Sequence, residues 1–85
     1  LTLEKLVSKY IQGAERTFEE IGALTNRIQL DEAGAKRVFD SAKRYLEDAK
    51  YYQREGKLET SLTSVAYCEG LLDALRLLGA VEFTW

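Results

Sequence analysis

Apolar residues recur along the first third of the chain at Leu3, Val7, Tyr10, Ile11, Ala14, Phe18, Ile21, Leu24 and Ile28. Steps of three and four trace one face of a helix, and the spacing predicts a helix over about residues 2–28. Gly13 and Gly22 fall inside it and weaken it, each by up to about 1 kcal/mol relative to alanine. Each glycine implies a close neighbour or a slight bend. The stretch NRIQLDEAG breaks the pattern. Asp31 suits a helix N-cap because its carboxylate accepts from the free amides of the next turn. Glu32 adds negative charge at the positive end of the helix dipole.

The second helix, over about 32–55, has the cleanest periodicity. Ala35, Val38, Ala42, Tyr45, Ala49 and Tyr52 form a heptad seam that Phe39 and Leu46 widen. Gly56 can take the left-handed conformation that closes a helix. The link REGKLE is short enough that the third helix, about 58–78, must turn back antiparallel. Gly79 stops it, leaving an apolar tail, AVEFTW over 80–85, for packing or for a partner. The expected fold is all-α, an antiparallel up-down-up three-helix bundle forming a single domain over 1–85. The alternative is a helical pair that completes its core by dimerising.

The third helix is apolar nearly all round in its C-terminal half. From Ala66 to Leu78 the charged residues are Glu69, Asp73 and Arg76, within roughly 60° of one another on a helical wheel. Leu58, Leu62 and Val65 lie on the same line one to three turns earlier, so the buried face shifts along the helix or Glu69 is partly covered. Three readings of the carboxylates follow. They are the exposed strip of a packed helix, with Asp73 pairing Arg76 one turn on. One of them reaches a tyrosine hydroxyl, Tyr52 or Tyr67, or an exposed backbone amide. Or they bind a ligand or cation, although helical carboxylate metal sites usually add histidine and this chain has none.

Composition removes other chemistries. The net charge of −2 gives no electrostatic case for nucleic acid. A single cysteine, Cys68, excludes an intrachain disulfide and fits a reducing, cytoplasmic setting. No segment approaches the ~20 apolar residues of a membrane span, and the N-terminus lacks the apolar run of a signal peptide. With no histidine and no methionine, the composition leans thermophilic. Cys68 sits on the apolar face without a histidine base, so it reads as packing. The serines and threonines of ETSLTSVAY cannot form a Ser/His/Asp set, and no glycine-rich phosphate loop occurs. Lys36, Arg37, Lys43, Arg44 and Lys50 are interrupted by Asp40, Glu47 and Asp48, a solvated mixed face. Tyr45, Tyr51, Tyr52 and Tyr67 either pack in the core or line a groove.

The second half carries a recognisable pattern. Asp48, Ala49, Tyr51 and Tyr52 are followed by the turn glycine Gly56, then by Ala66, Tyr67, Gly70, Leu71, Leu72, Asp73 and Ala74, then by Leu78 and Gly79. In this it resembles a small archaeal family of helical proteins, domain-of-unknown-function family 357. The resemblance implies a helical bundle in an archaeal cytosol and supplies no activity; some members look attached to a nucleotidyltransferase-like domain. Lys57 stands where the family often has an aspartate, which removes a cap. Gly70, a mid-helix glycine, implies a close helix crossing that would gather Tyr52, Tyr67 and Asp73.

These readings lead to a non-catalytic interaction or oligomerisation module that buries an apolar patch against a protein partner or a second copy. Its candidate surface comprises Tyr52, Tyr67, Glu69, Asp73, Phe83 and Trp85. No catalytic set, cofactor, metal, nucleic acid or membrane is expected. The alternative is an accessory domain holding a nucleotide or other small ligand for a nucleotidyltransferase-like enzyme, with a tyrosine-lined pocket and Glu69 or Asp73 pointing in.

Overall fold

The computed structural model describes residues 2–25 and 27–85. Three helices form, α1 (Leu3–Ile21), α2 (Glu32–Arg54) and α3 (Leu58–Leu77), and no strand occurs among the described residues. The architecture is the expected all-α one, with three helices in the order of an antiparallel up-down-up bundle.

Local chemistry explains most boundaries. The Thr2 side chain accepts from the Lys5 amide at 3.2 Å and opens α1. Asp31 caps α2 as expected, its Oδ1 accepting from the Gly34 amide at 2.7 Å. Gly56 and Gly79 take positive φ, 75° and 79°, just past α2 and α3. Lys57 precedes α3 and gives no side-chain cap, as the missing aspartate implied. The end of α1 differs from expectation. The helix stops at Ile21 rather than near 28, because Gly22 adopts φ 62°, ψ −78° and the Ala23 amide donates to the Ile21 carbonyl at 2.7 Å. That is a γ-turn, a conformation strained for residues with a side chain. Leu24 and Ile28 therefore lie in an exposed loop and not on the helix face.

The packed unit is the α2–α3 hairpin. Ala42 and Ala49 from α2 meet Cys68 and Leu75 from α3, all buried. Small residues on α2 let the backbones approach, and the Ser61 hydroxyl donates to the Ala49 carbonyl at 2.7 Å across the seam. Tyr45 stacks on Tyr67 with ring centroids 4.4 Å apart. Pairing of 49 with 61 and 45 with 67 fixes the antiparallel sense. The six seam residues read from the sequence are all buried or half-buried. Gly70, in contrast, has no neighbouring heavy atom within 4 Å of an added Cβ, so it marks no helix crossing.

Among the described residues, α1 nowhere brings its Cα atoms within 8 Å of α2 or α3. None of its residues is buried; Phe18 is 76% and Tyr10 70% exposed. The chain is correspondingly open. Its radius of gyration is 15.4 Å, against about 12 Å for a compact domain of this length.

Candidate functional site

The α3 carboxylates resolve into the surface reading. Asp73 accepts from Arg76 Nε at 3.1 Å one turn on. The guanidinium hydrogen bond holds the Asp73 carboxyl below its ordinary range, with Trp85 acting in the same direction. Glu69 is exposed. It lies on the opposite side of α3 from Tyr67, by the wheel at about 100° per residue. Tyr52 lies edge-on to Tyr51, centroids 5.3 Å apart, and Tyr67 stacks on Tyr45. The structure therefore does not gather Tyr52, Tyr67, Glu69 and Asp73 around one point.

A shallow cleft of about 220 Å³ runs beside the stacked tyrosines, lined by Arg37, Val38, Ser41, Tyr45, Tyr67 and Leu71. Neither α3 carboxylate borders it. Among the described residues, no group of three or more His, Cys, Asp or Glu could hold a metal ion, and no helix is long and apolar enough to cross a membrane. Cys68 is buried, and burial raises its thiol pKa, so it stays protonated and unreactive.

The tail does come together with α3. Phe83 is half-buried, 5.6 Å from the Arg76 guanidinium and 4.9 Å from the edge-on Trp85 ring. Val81 and Ala80 join Ala35, Phe39 and Leu75 at a second opening of about 310 Å³ between the hairpin helices. Arg76 is thus the hinge of a small cluster, bonded to Asp73 and capped by Phe83. Three of the six candidate residues, Asp73, Phe83 and Trp85, belong to it.

An exposed apolar feature follows the helix face that periodicity traced on α1. Leu3, Val7, Tyr10, Ile11, Phe18 and Ile21 form an exposed stripe along α1, on which neither α2 nor α3 packs among the described residues. On the hairpin, Leu58 (65% exposed), Leu62 (68%), Leu46 and Phe39 form a second exposed apolar strip. Pattern alone signals that such faces need covering and does not say by what.

A helical hairpin carrying an amphipathic arm, with exposed apolar faces and, among the described residues, no group of side chains that could hold a metal ion, defines a small all-α protein. Residues 9–81 match the family described as protein of unknown function (DUF357), and the chain belongs to that family. The match takes in most of α1 together with the whole hairpin. No curated protein and no solved structure matches the chain.

Proposed function

We propose that this protein is a non-catalytic helix-packing module, joining polypeptides by covering apolar helix faces. The observation that carries this reading is the unpartnered stripe of α1. A helix with one apolar face is ordinarily held by the surface that covers that face. The total accessible surface supports it: 7548 Å² for 9.7 kDa, against about 5,100 Å² for a folded monomer of that mass. The excess, about 2,400 Å², is the size of a protein interface. The polar side of α1 is mixed, with Glu4, Glu15, Glu19 and Glu20 against Lys5, Lys9 and Arg16. That balance suits a protein surface better than an anionic lipid one.

The test is affinity capture by the tagged chain from cells that make it natively, beside a Val7→Asp, Phe18→Asp variant, read by quantitative mass spectrometry. Proteins, including untagged copies of this chain, that are captured by the wild type and lost by the variant support the reading. Identical capture by both refutes it.

A further inference from the structure

We propose that the occupant of these faces is a second copy of the chain, each copy laying α1 on the exposed α2–α3 strip of the other. The proposal rests on the helix-packing reading and names its partner. Three observations lead to it: where the uncovered faces are, how they are charged, and how much surface they leave.

The stripe on α1 is bordered unequally. By the wheel at about 100° per residue, Glu4 and Glu15 flank one side and the uncharged Leu6, Gly13 and Thr17 the other, with Glu19 and Glu20 further round and Lys5, Lys9 and Arg16 on the back of the helix. The hairpin strip is bordered unequally as well. Lys43 and Lys50 lie along its α2 edge, Lys43 with its ammonium 4.8 Å from the Phe39 ring centre. Glu69 lies along its α3 edge, on the line of Leu58 and Leu62.

Handedness then selects one orientation. With α1 antiparallel to α2 and its stripe on this strip, the acidic flank falls on the α2 side, toward Lys43 and Lys50, and the uncharged flank on the α3 side; with α1 parallel to α2 the acidic flank would meet Glu69 instead. Glu4 and Glu15 span about 16 Å of helix axis and Lys43 and Lys50 about 10 Å, so a centred register puts each carboxylate about 3 Å along the axis from its lysine. The opposite face of the hairpin reverses this. In the same sense of α1, the acidic flank would turn to the α3 side, toward the uncharged Thr63, Tyr67 and Ala74, and away from Arg37 and Arg44 of α2. That face carries the half-buried Tyr45, Tyr52 and Leu71 beside the shallow cleft of the stacked tyrosines.

Among the described residues α1 stands away from its own hairpin, so each copy presents both apolar faces uncovered, with Lys50 held meanwhile by Glu47 at 3.3 Å. Reciprocal exchange satisfies both by one two-fold axis and leaves no open end. Removing the whole excess surface from two chains would bury about 4,800 Å², within the range of obligate homodimers.

The experiment is multi-angle light scattering and sedimentation of the purified full chain over a wide concentration range. Wild type is expected to be a dimer. Lys43→Glu with Lys50→Glu is expected to raise the dimer dissociation constant at least tenfold, and adding Glu4→Lys with Glu15→Lys is expected to restore it. Circular dichroism of each variant confirms that the hairpin is folded.

A monomer at every concentration overturns the proposal, whether α1 has closed on its own hairpin or stayed open. A dimer indifferent to all four charges overturns it too. In either case, capture of another protein through Val7 and Phe18 would leave the helix-packing reading standing.

Discussion

Leu75 is the one large side chain fully buried in the hairpin, 1% exposed, and it shares the seam with Cys68. Leu75→Ala removes its contacts with α2 and leaves a cavity. Such truncations cost about 2.7–5 kcal/mol in a well-packed core. The seam here is a single layer between two helices, open at its edges, so partial collapse places the cost near the lower end, about 2–3 kcal/mol. Cys68 supplies the assay, because a buried thiol reacts with a disulfide reagent only when the hairpin opens. When closing outpaces reaction, the labelling rate follows the opening equilibrium. A loss of 2–3 kcal/mol multiplies that equilibrium by about 30–150, since each 1.4 kcal/mol is tenfold. Leu75→Ala is therefore expected to speed Cys68 labelling by that factor, or to the rate of an unfolded thiol if the hairpin no longer holds. Leu77→Ala, on the exposed side of α3, is expected to leave the rate within twofold. A Leu75→Ala rate within threefold of wild type would refute the reading that this seam is the core.

Three further outcomes are expected. Lys57→Asp supplies the missing cap of α3 and removes a positive charge from its N-terminus; a gain of about 0.5–1 kcal/mol should appear in the urea midpoint. Asp73 should titrate below its ordinary value of 3.8, and Arg76→Ala should return it toward that value, as carbon NMR of the carboxyl would show. Because its folded pKa is the lower one, the contribution of Asp73 to stability is present above 3.8 and is lost as pH falls through the folded value. Gly22→Ala, at φ 62°, should destabilise the turn after α1 by about 1–3 kcal/mol. Faster amide exchange at Ala23, with unchanged Cys68 labelling, would locate that effect outside the hairpin.

The hairpin was legible because its signals are local. The seam of α2 repeats over nearly five turns, Asp31 and Gly56 mark its ends, and a short link leaves α3 one direction to run. Gly70 misled because a mid-helix glycine signals a close crossing only when a neighbour exists, and that is a long-range fact. The end of α1 was missed because Leu24 and Ile28 continue the three-four rhythm while the backbone at Gly22 has already turned. Wheel geometry placed Asp73 beside Arg76 correctly, yet nothing in the spacing indicated that Phe83 would return to the same guanidinium. The α1 stripe was read correctly as apolar and wrongly as covered, since periodicity reports that a face is sticky and not where its complement lies.

The separation of α1 from the hairpin has a thermodynamic consequence. A helix of 19 residues without tertiary contacts is only marginally ordered in water, so the order of α1 and the covering of its stripe are one equilibrium. Whatever covers the stripe also winds the helix, and the winding cost is subtracted from the affinity. Melting of the chain alone is then not a single transition: helicity from α1 is lost across a broad range, before the hairpin melts cooperatively. The far-ultraviolet signal at low temperature becomes a gauge of occupancy.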